Sequence, residues 1–238
     1  MRAMKPKAYI AAVMACAVTG LAAGCASSSS SSSSAAAAGS SHFTGGAGPH
    51  GSSGAGAGSN ARSGPAPGGA AGTAGSVTSA GFTMTTSAGQ KVTVNEASAT
   101  TYADGSDSAS ASAVTDGTQV LVLGTVNSTT ITAAQVIVEP AGNKYTASSS
   151  QVVPFQRGKP STSKTAGAVP SGWNEGQGTI VSGTAADKGT EAALAAYPGA
   201  VVDRVTKLSS GDYNVHFIGV NWPHHVFLNS DFQVIGAE

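Results

Sequence analysis

Apolar and polar side chains alternate in short runs from Ser76 onward, and this period of two predicts β-strands. The runs between residues 76 and 140 contain these apolar positions: Phe82 and Met84, Val92 and Val94, Val120–Leu123, Ile131, and Val136–Val138. Turn residues such as Ser87–Gln90 and Asp116-Gly117 separate the runs. Because Val120–Leu123 is apolar on both faces, we expect this strand in the centre of a sheet. The spacing predicts an all-β meander or small barrel over residues 76–140.

Residues 178–238 show a different pattern, in which one helix is followed by strands. Thr184 can cap a helix over Ala185–Tyr197, and Pro198-Gly199 ends it. Four strand-like runs follow: Ala200–Lys207, Asp212–Gly219, His225–Leu228 and Phe232–Ile235. This order predicts a helix packed on an antiparallel sheet. The expected fold class is mostly β with α+β, after a disordered N-terminal third.

The first 24 residues have the pattern of a secretory signal peptide. Three basic residues precede an apolar run, Ala8–Ala23, which ends at Gly24-Cys25. A membrane-spanning helix needs about 20 apolar residues, and this run is shorter. The sequence therefore predicts a signal peptide over residues 1–24.

Two further segments have the composition of linkers. Residues 26–75 are almost entirely Ser, Ala and Gly, with Phe43 as the only large apolar side chain and Arg62 as the only charge. Burial of so few apolar groups cannot offset the entropy of ordering, which predicts a disordered tether over residues 25–75. Prolines and polar residues over 141–177 predict a second linker.

The border between the signal and the tether resembles the lipobox of bacterial lipoproteins, in which an apolar, small-residue run ends in Gly-Cys. Here the run is Gly20-Leu-Ala-Ala-Gly-Cys25. The resemblance implies that Cys25 becomes the first mature residue and carries a lipid at the extracytoplasmic face of the cell membrane. The only other cysteine, Cys16, lies in the predicted signal peptide, so the mature chain would have one thiol and no internal disulfide. The alternative is ordinary cleavage, with Cys25 left as a free thiol.

The two predicted domains resemble two families of secreted bacterial domains. Phe82–Thr86, Gly89–Val94, Gly117–Thr125 and Ile131–Val136 resemble a family of unknown function, which implies a small, antiparallel OB-like β-barrel. The C-terminal part resembles PepSY-like domains in these residues: Ala192–Ala200, Val205, Gly211–His216, Val226 and Asp231–Val234. The second resemblance implies an extracytoplasmic binding or regulatory module, sometimes proposed to restrain peptidases, and no enzymatic chemistry.

Charge and motifs restrict the chemistry further. The formal net charge is zero and only 10% of residues are charged, so no basic patch indicates nucleic acid as a partner. The match Ser161-x-x-Lys164 to a serine acyl-enzyme motif lies in the predicted linker, and the sequence lacks its partner motifs. We therefore expect no catalytic residues and no cofactor.

The histidines offer a weak indication of a metal site. Adjacent His224 and His225 are expected to point to opposite sides of a strand. His216 with one of them would form a partial site across neighbouring strands, which no acid or cysteine completes. We therefore expect no metal. Trp222, before Pro223 at a predicted hairpin tip, either contacts a partner or folds back over the sheet, and Trp222, His224 and His225 are the candidate partner contacts.

The sequence thus predicts a lipid-anchored, non-catalytic binding or regulatory protein of the cell envelope. Its expected partners are the membrane, through a lipid on Cys25, and an unknown envelope protein or polysaccharide. One alternative is an extracytoplasmic hydrolase or a peptidase-regulating inhibitor with an unrecognised site. A cleft with His216 or His225 within hydrogen-bond reach of a serine and a carboxylate would favour the hydrolase. A structural spacer is a further alternative.

Overall fold

The computed structural model describes residues 64–139, 144–145, 149–157 and 164–238. The predicted signal peptide, Cys25 and the first part of the predicted tether lie outside these residues. All described residues belong to one compact unit.

The described residues contain fourteen strands and one α-helix. The strands of the first half are β1 (Ala66–Thr78), β2 (Gly81–Thr85), β3 (Lys91–Asp104), β4 (Asp107–Ala109), β5 (Gln119–Asn127) and β6 (Thr130–Val138). Three short strands follow: β7 (Val153–Pro154), β8 (Ala166–Gly167) and β9 (Thr179–Ile180). The second half comprises α1 (Thr184–Ala196), β10 (Val201–Lys207), β11 (Tyr213–Ile218), β12 (Val220–Trp222), β13 (His225–Leu228) and β14 (Val234–Ala237).

Twelve of the strands form one large mixed sheet in the order β2-β3-β6-β5-β1-β10-β11-β13-β14-β8. Strand β4 pairs with β3, β9 pairs with β10, and β2 also pairs with β1, so the first half curls into a partial ring. The β3–β6 pairing is parallel, so the expectation that all strands of the first half pair antiparallel is wrong. Strands β12 and β7 form a separate two-stranded sheet. The observed class is mostly β with one helix.

The two predicted domains share this sheet, which the sequence did not indicate. Strand β1 pairs with β5 of the first half and, through Gly69 and Ala70, with β10 of the second half. Residues of β1 and β5 also pack in the same core as helix α1. The boundary at residues 141–177 therefore separates sequence patterns and does not separate folded units.

The predicted tether ends earlier than residue 75, because Ala66–Thr78 is strand β1. Its Gly- and Ala-rich composition is typical of disordered segments. In this strand, however, only small side chains fit between the neighbouring backbones. A Cβ at Gly68 would collide with the carbonyl oxygen of Val202, and one at Gly69 with that of Val122. Close approach of neighbouring backbones selects glycine here, and main-chain hydrogen bonds hold the strand.

Two hydrophobic cores lie on opposite faces of the shared strands. One fills the partial ring and contains Val120 and Val122 of β5. The other lies between the sheet and α1 and contains Leu121 and Leu123. The predicted central position of Val120–Leu123 is confirmed, since β5 lies between β6 and β1 and all four side chains are buried.

The second half follows its predicted pattern closely. The predicted helix is confirmed over Thr184–Ala196, although Gly183 and not Thr184 occupies the N-cap position. The last strand begins two residues later than predicted, at Val234. The reason is a turn in which the side-chain oxygen of Asn229 accepts hydrogen bonds from the backbone N–H groups of Asp231 and Gln233, at 3.0 and 2.9 Å.

The predicted linker contributes to the fold. Strand β7 pairs with β12 and β8 pairs with β14, while Tyr145 and Val152 lie in the core beside α1. Within the described part of the chain, no helix is long and apolar enough to span a membrane.

The packing around β1 predicts that Gly68→Ala destabilises the protein by about 1–3 kcal/mol, because the new methyl group collides with backbone that cannot rotate away. Gly75→Ala in the same strand is the matched control, since its Cβ would meet only the Thr83 hydroxyl at 3.8 Å. Urea unfolding of both variants measures the difference. Equal stability of the two variants would contradict the proposed packing.

Candidate functional site

Three histidine side chains converge on the sheet face opposite α1, and we call His216, His224 and His225 the histidine centre. One ring nitrogen from each lies within 4.8 Å of the others. The ring centroids are 4.7 Å apart for His216 and His224, 5.0 Å for His216 and His225, and 5.3 Å for His224 and His225. His216 is fully buried, His225 is 6% exposed and His224 is half-buried.

Strand register explains how His216 and His225 meet. The two residues are direct partners in the antiparallel pairing of β11 with β13, so their side chains lie on the same face. Val215 and Phe217 alternate with His216 and pack into the core beside α1. The period of two therefore turns His216 away from that core.

The expectation that His224 and His225 point to opposite sides of a strand is wrong. His224 precedes β13, which begins at His225, so strand alternation does not govern its direction. The Glu238 carbonyl oxygen accepts hydrogen bonds from the backbone N–H groups of both histidines, at 2.6 and 2.9 Å. These main-chain bonds fix the pair against β14.

An irregularity in β10 brings a carboxylate to the site. The pairing of β10 with β11 shifts register between Val202 and Arg204, which leaves Asp203 as an extra residue. Such a bulge redirects side chains, and here Asp203 reaches the Nδ1 atom of His216. The other carboxylate oxygen of Asp203 accepts a hydrogen bond from Arg204 Nη1 at 3.0 Å.

The hydrogen bonds of the centre leave one buried nitrogen without a partner. Asp203 engages Nδ1 of His216, whereas Nε2 of the same ring is buried and makes no hydrogen bond among the described residues. The side-chain amide of Asn214 lies 3.1 Å from Nδ1 of His225. Side chains of the sheet thus contact the Nδ1 atoms of two imidazoles, those of His216 and His225.

An aromatic side chain from the predicted linker covers the centre. Trp173 contacts His225 edge to face at 4.7 Å between ring centroids, and Phe227 at 5.0 Å. Trp173 therefore packs against one of the three imidazoles of the centre.

Burial keeps two of the imidazoles neutral. It lowers the pKa of His224 to about 4, with His216 and Arg204 adding to the effect and Asp203 opposing it. Burial lowers the pKa of His225 to about 2, with further contributions from His216, His224 and Arg204. Neutral imidazole has one nitrogen lone pair for a ligand, so the centre offers donors of that kind.

The centre contains two of the three groups of a serine-type catalytic arrangement. A serine-type mechanism needs a hydroxyl within hydrogen-bond reach of the histidine whose other nitrogen contacts the carboxylate. Asp203 supplies the carboxylate, but His216 Nε2 has no hydroxyl partner among the described residues. The centre is also the only group of three or more metal-capable side chains found in that part of the chain.

Two predicted site residues, Trp222 and Cys25, do not belong to the histidine centre. Trp222 is 4% exposed, contacts Tyr197 edge to face at 5.6 Å and donates its indole N–H to the Lys164 carbonyl at 2.8 Å. Its position matches the alternative of folding back over the sheet. Cys25 lies outside the described residues.

Sequence reasoning missed four residues of the site: Trp173, Asp203, Arg204 and Asn214. One signal was available, because Asp203-Arg204 interrupts the apolar run from Val201 to Val205. Charged residues in a strand buried on both faces are unusual unless they are paired. The tryptophan had no such signal, since its contact depends on the path of the linker.

Comparisons with protein-family models, with curated proteins and with solved structures found no match.

The lowered pKa values of His224 and His225 predict that the protein loses stability as the pH falls below about 6.5. The unfolded chain then takes up protons that the folded histidines do not bind, so unfolding becomes more favourable. Because two groups contribute, we expect a loss of about 2 kcal/mol per pH unit between pH 6.5 and 5.

Urea unfolding at several pH values measures this slope. The double variant His224→Gln/His225→Gln should have a flatter dependence over the same range, because the groups that titrate are gone. An unchanged slope in the double variant would contradict the assignment.

Proposed function

We propose that this chain is a lipid-anchored, non-catalytic binding protein of the bacterial cell envelope. The Gly24-Cys25 border after a basic and apolar segment supports the anchor. The 38 residues from 26 to 63 separate Cys25 from the first described residue, Gly64. Fully extended, a segment of that length reaches about 130 Å, which is enough to hold a folded unit away from a membrane.

We further propose that the first half is an OB-like β-barrel and the second half a PepSY-like unit. The partial ring of β1, β2, β3, β6 and β5 supports the first assignment. The packing of α1 on β10, β11 and β13 supports the second. Strand β1 joins the two halves in one sheet, and this sheet carries the histidine centre.

The convergence of three histidines around a buried, unpartnered nitrogen is the observation that supports binding best. An unsatisfied buried polar atom costs free energy, so its retention favours a role in ligand capture. A partner in the envelope, a protein or a polysaccharide, would reach the centre through half-buried His224, since His216 and His225 are buried. Trp222, the other predicted partner contact, is 4% exposed.

A second candidate is an extracytoplasmic hydrolase, which the Asp203–His216 pair favours. This pair orients an imidazole as in a nucleophilic triad, and only the hydroxyl is missing. A serine-directed fluorophosphonate probe tests it. We expect no labelling of the purified protein. Labelling that Asp203→Asn abolishes would establish the hydrolase instead.

The proposed anchor predicts that protein extracted from the envelope begins at Cys25 and carries diacylglycerol mass there. Two acyl chains anchor stably, because each buried CH₂ contributes about 0.8 kcal/mol. Intact-mass spectrometry of the detergent-extracted protein measures the modification. The variant Cys25→Ser should lack this mass and leave the membrane fraction; an unlipidated mature wild-type chain would refute the anchor.

A further inference from the structure

We propose that the histidine centre binds one divalent late transition metal ion, for which Zn²⁺ is the representative probe. Each of His216, His224 and His225 would supply one imidazole nitrogen. The inference deepens the proposed binding function and rests on that proposal for the statement that the centre binds without catalysing. Imidazole donors favour zinc, copper and nickel over calcium and magnesium, which prefer oxygen.

The hydrogen bonds already select the nitrogen that faces a ligand. Asp203 holds Nδ1 of His216, and this leaves the buried, unpartnered Nε2 of that ring for the metal. Nδ1 of His225 lies 3.3 Å from Oδ1 of Asn214, and in the tautomer in which Nδ1–H donates to this oxygen, Nε2 is left for the metal. A metal-bound histidine usually contacts a carboxylate, carbonyl or similar group through its other nitrogen, which fixes the ring and increases its basicity.

The distances need only a limited adjustment. Zn–N bonds of about 2.0–2.1 Å place tetrahedral ligand nitrogens about 3.3 Å apart. One ring nitrogen of each histidine, either Nδ1 or Nε2, lies within 4.8 Å of the others. Strand pairing fixes the backbone of His216 and His225. The side chain of His224, which lies outside β13 and is half-buried, would therefore make most of the movement towards the metal.

The positive charge of Arg204 opposes a cation at the centre, and the Asp203 carboxylate, which accepts a hydrogen bond from Arg204 at 3.0 Å, offsets part of that charge. Three neutral ligands would leave the ion its positive charge and a fourth coordination position for water or an anion. Trp173 covers His225, so that position would open on the side of His224.

Metal titration of the full chain carrying Cys16→Ser and Cys25→Ser tests the proposal. This double variant removes the anchor and both thiols that could themselves bind metal. Zn²⁺, Cu²⁺ and Co²⁺ are added separately to metal-free protein, and affinity is measured by competition with a chromophoric chelator. We expect one equivalent of tightly bound ion and a Co²⁺ absorption spectrum typical of nitrogen ligands.

Variants locate the ion. His216→Gln and His224→Gln should each weaken binding at least 100-fold, and Asp203→Asn should weaken it 10- to 100-fold through the orientation of His216. The double variant His42→Gln/His50→Gln, in the predicted tether, is the control and should bind as before. Circular dichroism shows whether each variant folds. If His216→Gln does not fold, the metal affinity of His224→Gln, at the more exposed position, tests the proposal.

Three outcomes would overturn the inference: no stoichiometric binding, binding that His224→Gln leaves unchanged, or binding that the His42/His50 control abolishes. These outcomes leave the anchor at Cys25 unaffected, because its test is the mass of the envelope protein. Tight binding together with metal-dependent ester hydrolysis would instead keep the metal site and refute the non-catalytic function.

Discussion

The structure depends on the passage of strand β1 between neighbouring backbones. Its glycines let β5 and β10 approach more closely than any side chain would permit, and the resulting main-chain hydrogen bonds join both halves into one sheet. The register of β10 relative to β11 and β13 then places Asp203, His216 and His225 together. The position of the histidine centre therefore follows from backbone pairing that begins in a segment with almost no large side chains.

The sheet face that carries the histidine centre is unusual because it buries polar side chains. Arg204, Asn214, His216 and His225 are buried there, whereas the other face packs against α1 through apolar side chains. Most of the polar atoms are paired, through the bulge at Asp203 and the amide of Asn214. The Nε2 atom of His216 is the buried polar atom of this face that has no hydrogen-bond partner among the described residues, and a ligand bound to Nε2 would supply one.

Periodicity predicted the strands and the helix well, because both depend on local patterns. The apolar run Val120–Leu123 indicated a strand buried on both faces, and His225–Leu228 appears with its predicted bounds. Composition failed at β1, since small residues indicate disorder in isolation but suit a crowded strand. The centre could not be predicted because it needs the bulge at Asp203, the direction of His224 before β13, and Trp173 from a distant loop.

X-ray absorption at the zinc edge is the most direct test of nitrogen ligation at the histidine centre. Zinc-loaded protein that retains Cys25 should show about three imidazole nitrogens at about 2.0 Å. A sulfur ligand at about 2.3 Å, or a shell of oxygen atoms alone, would contradict it.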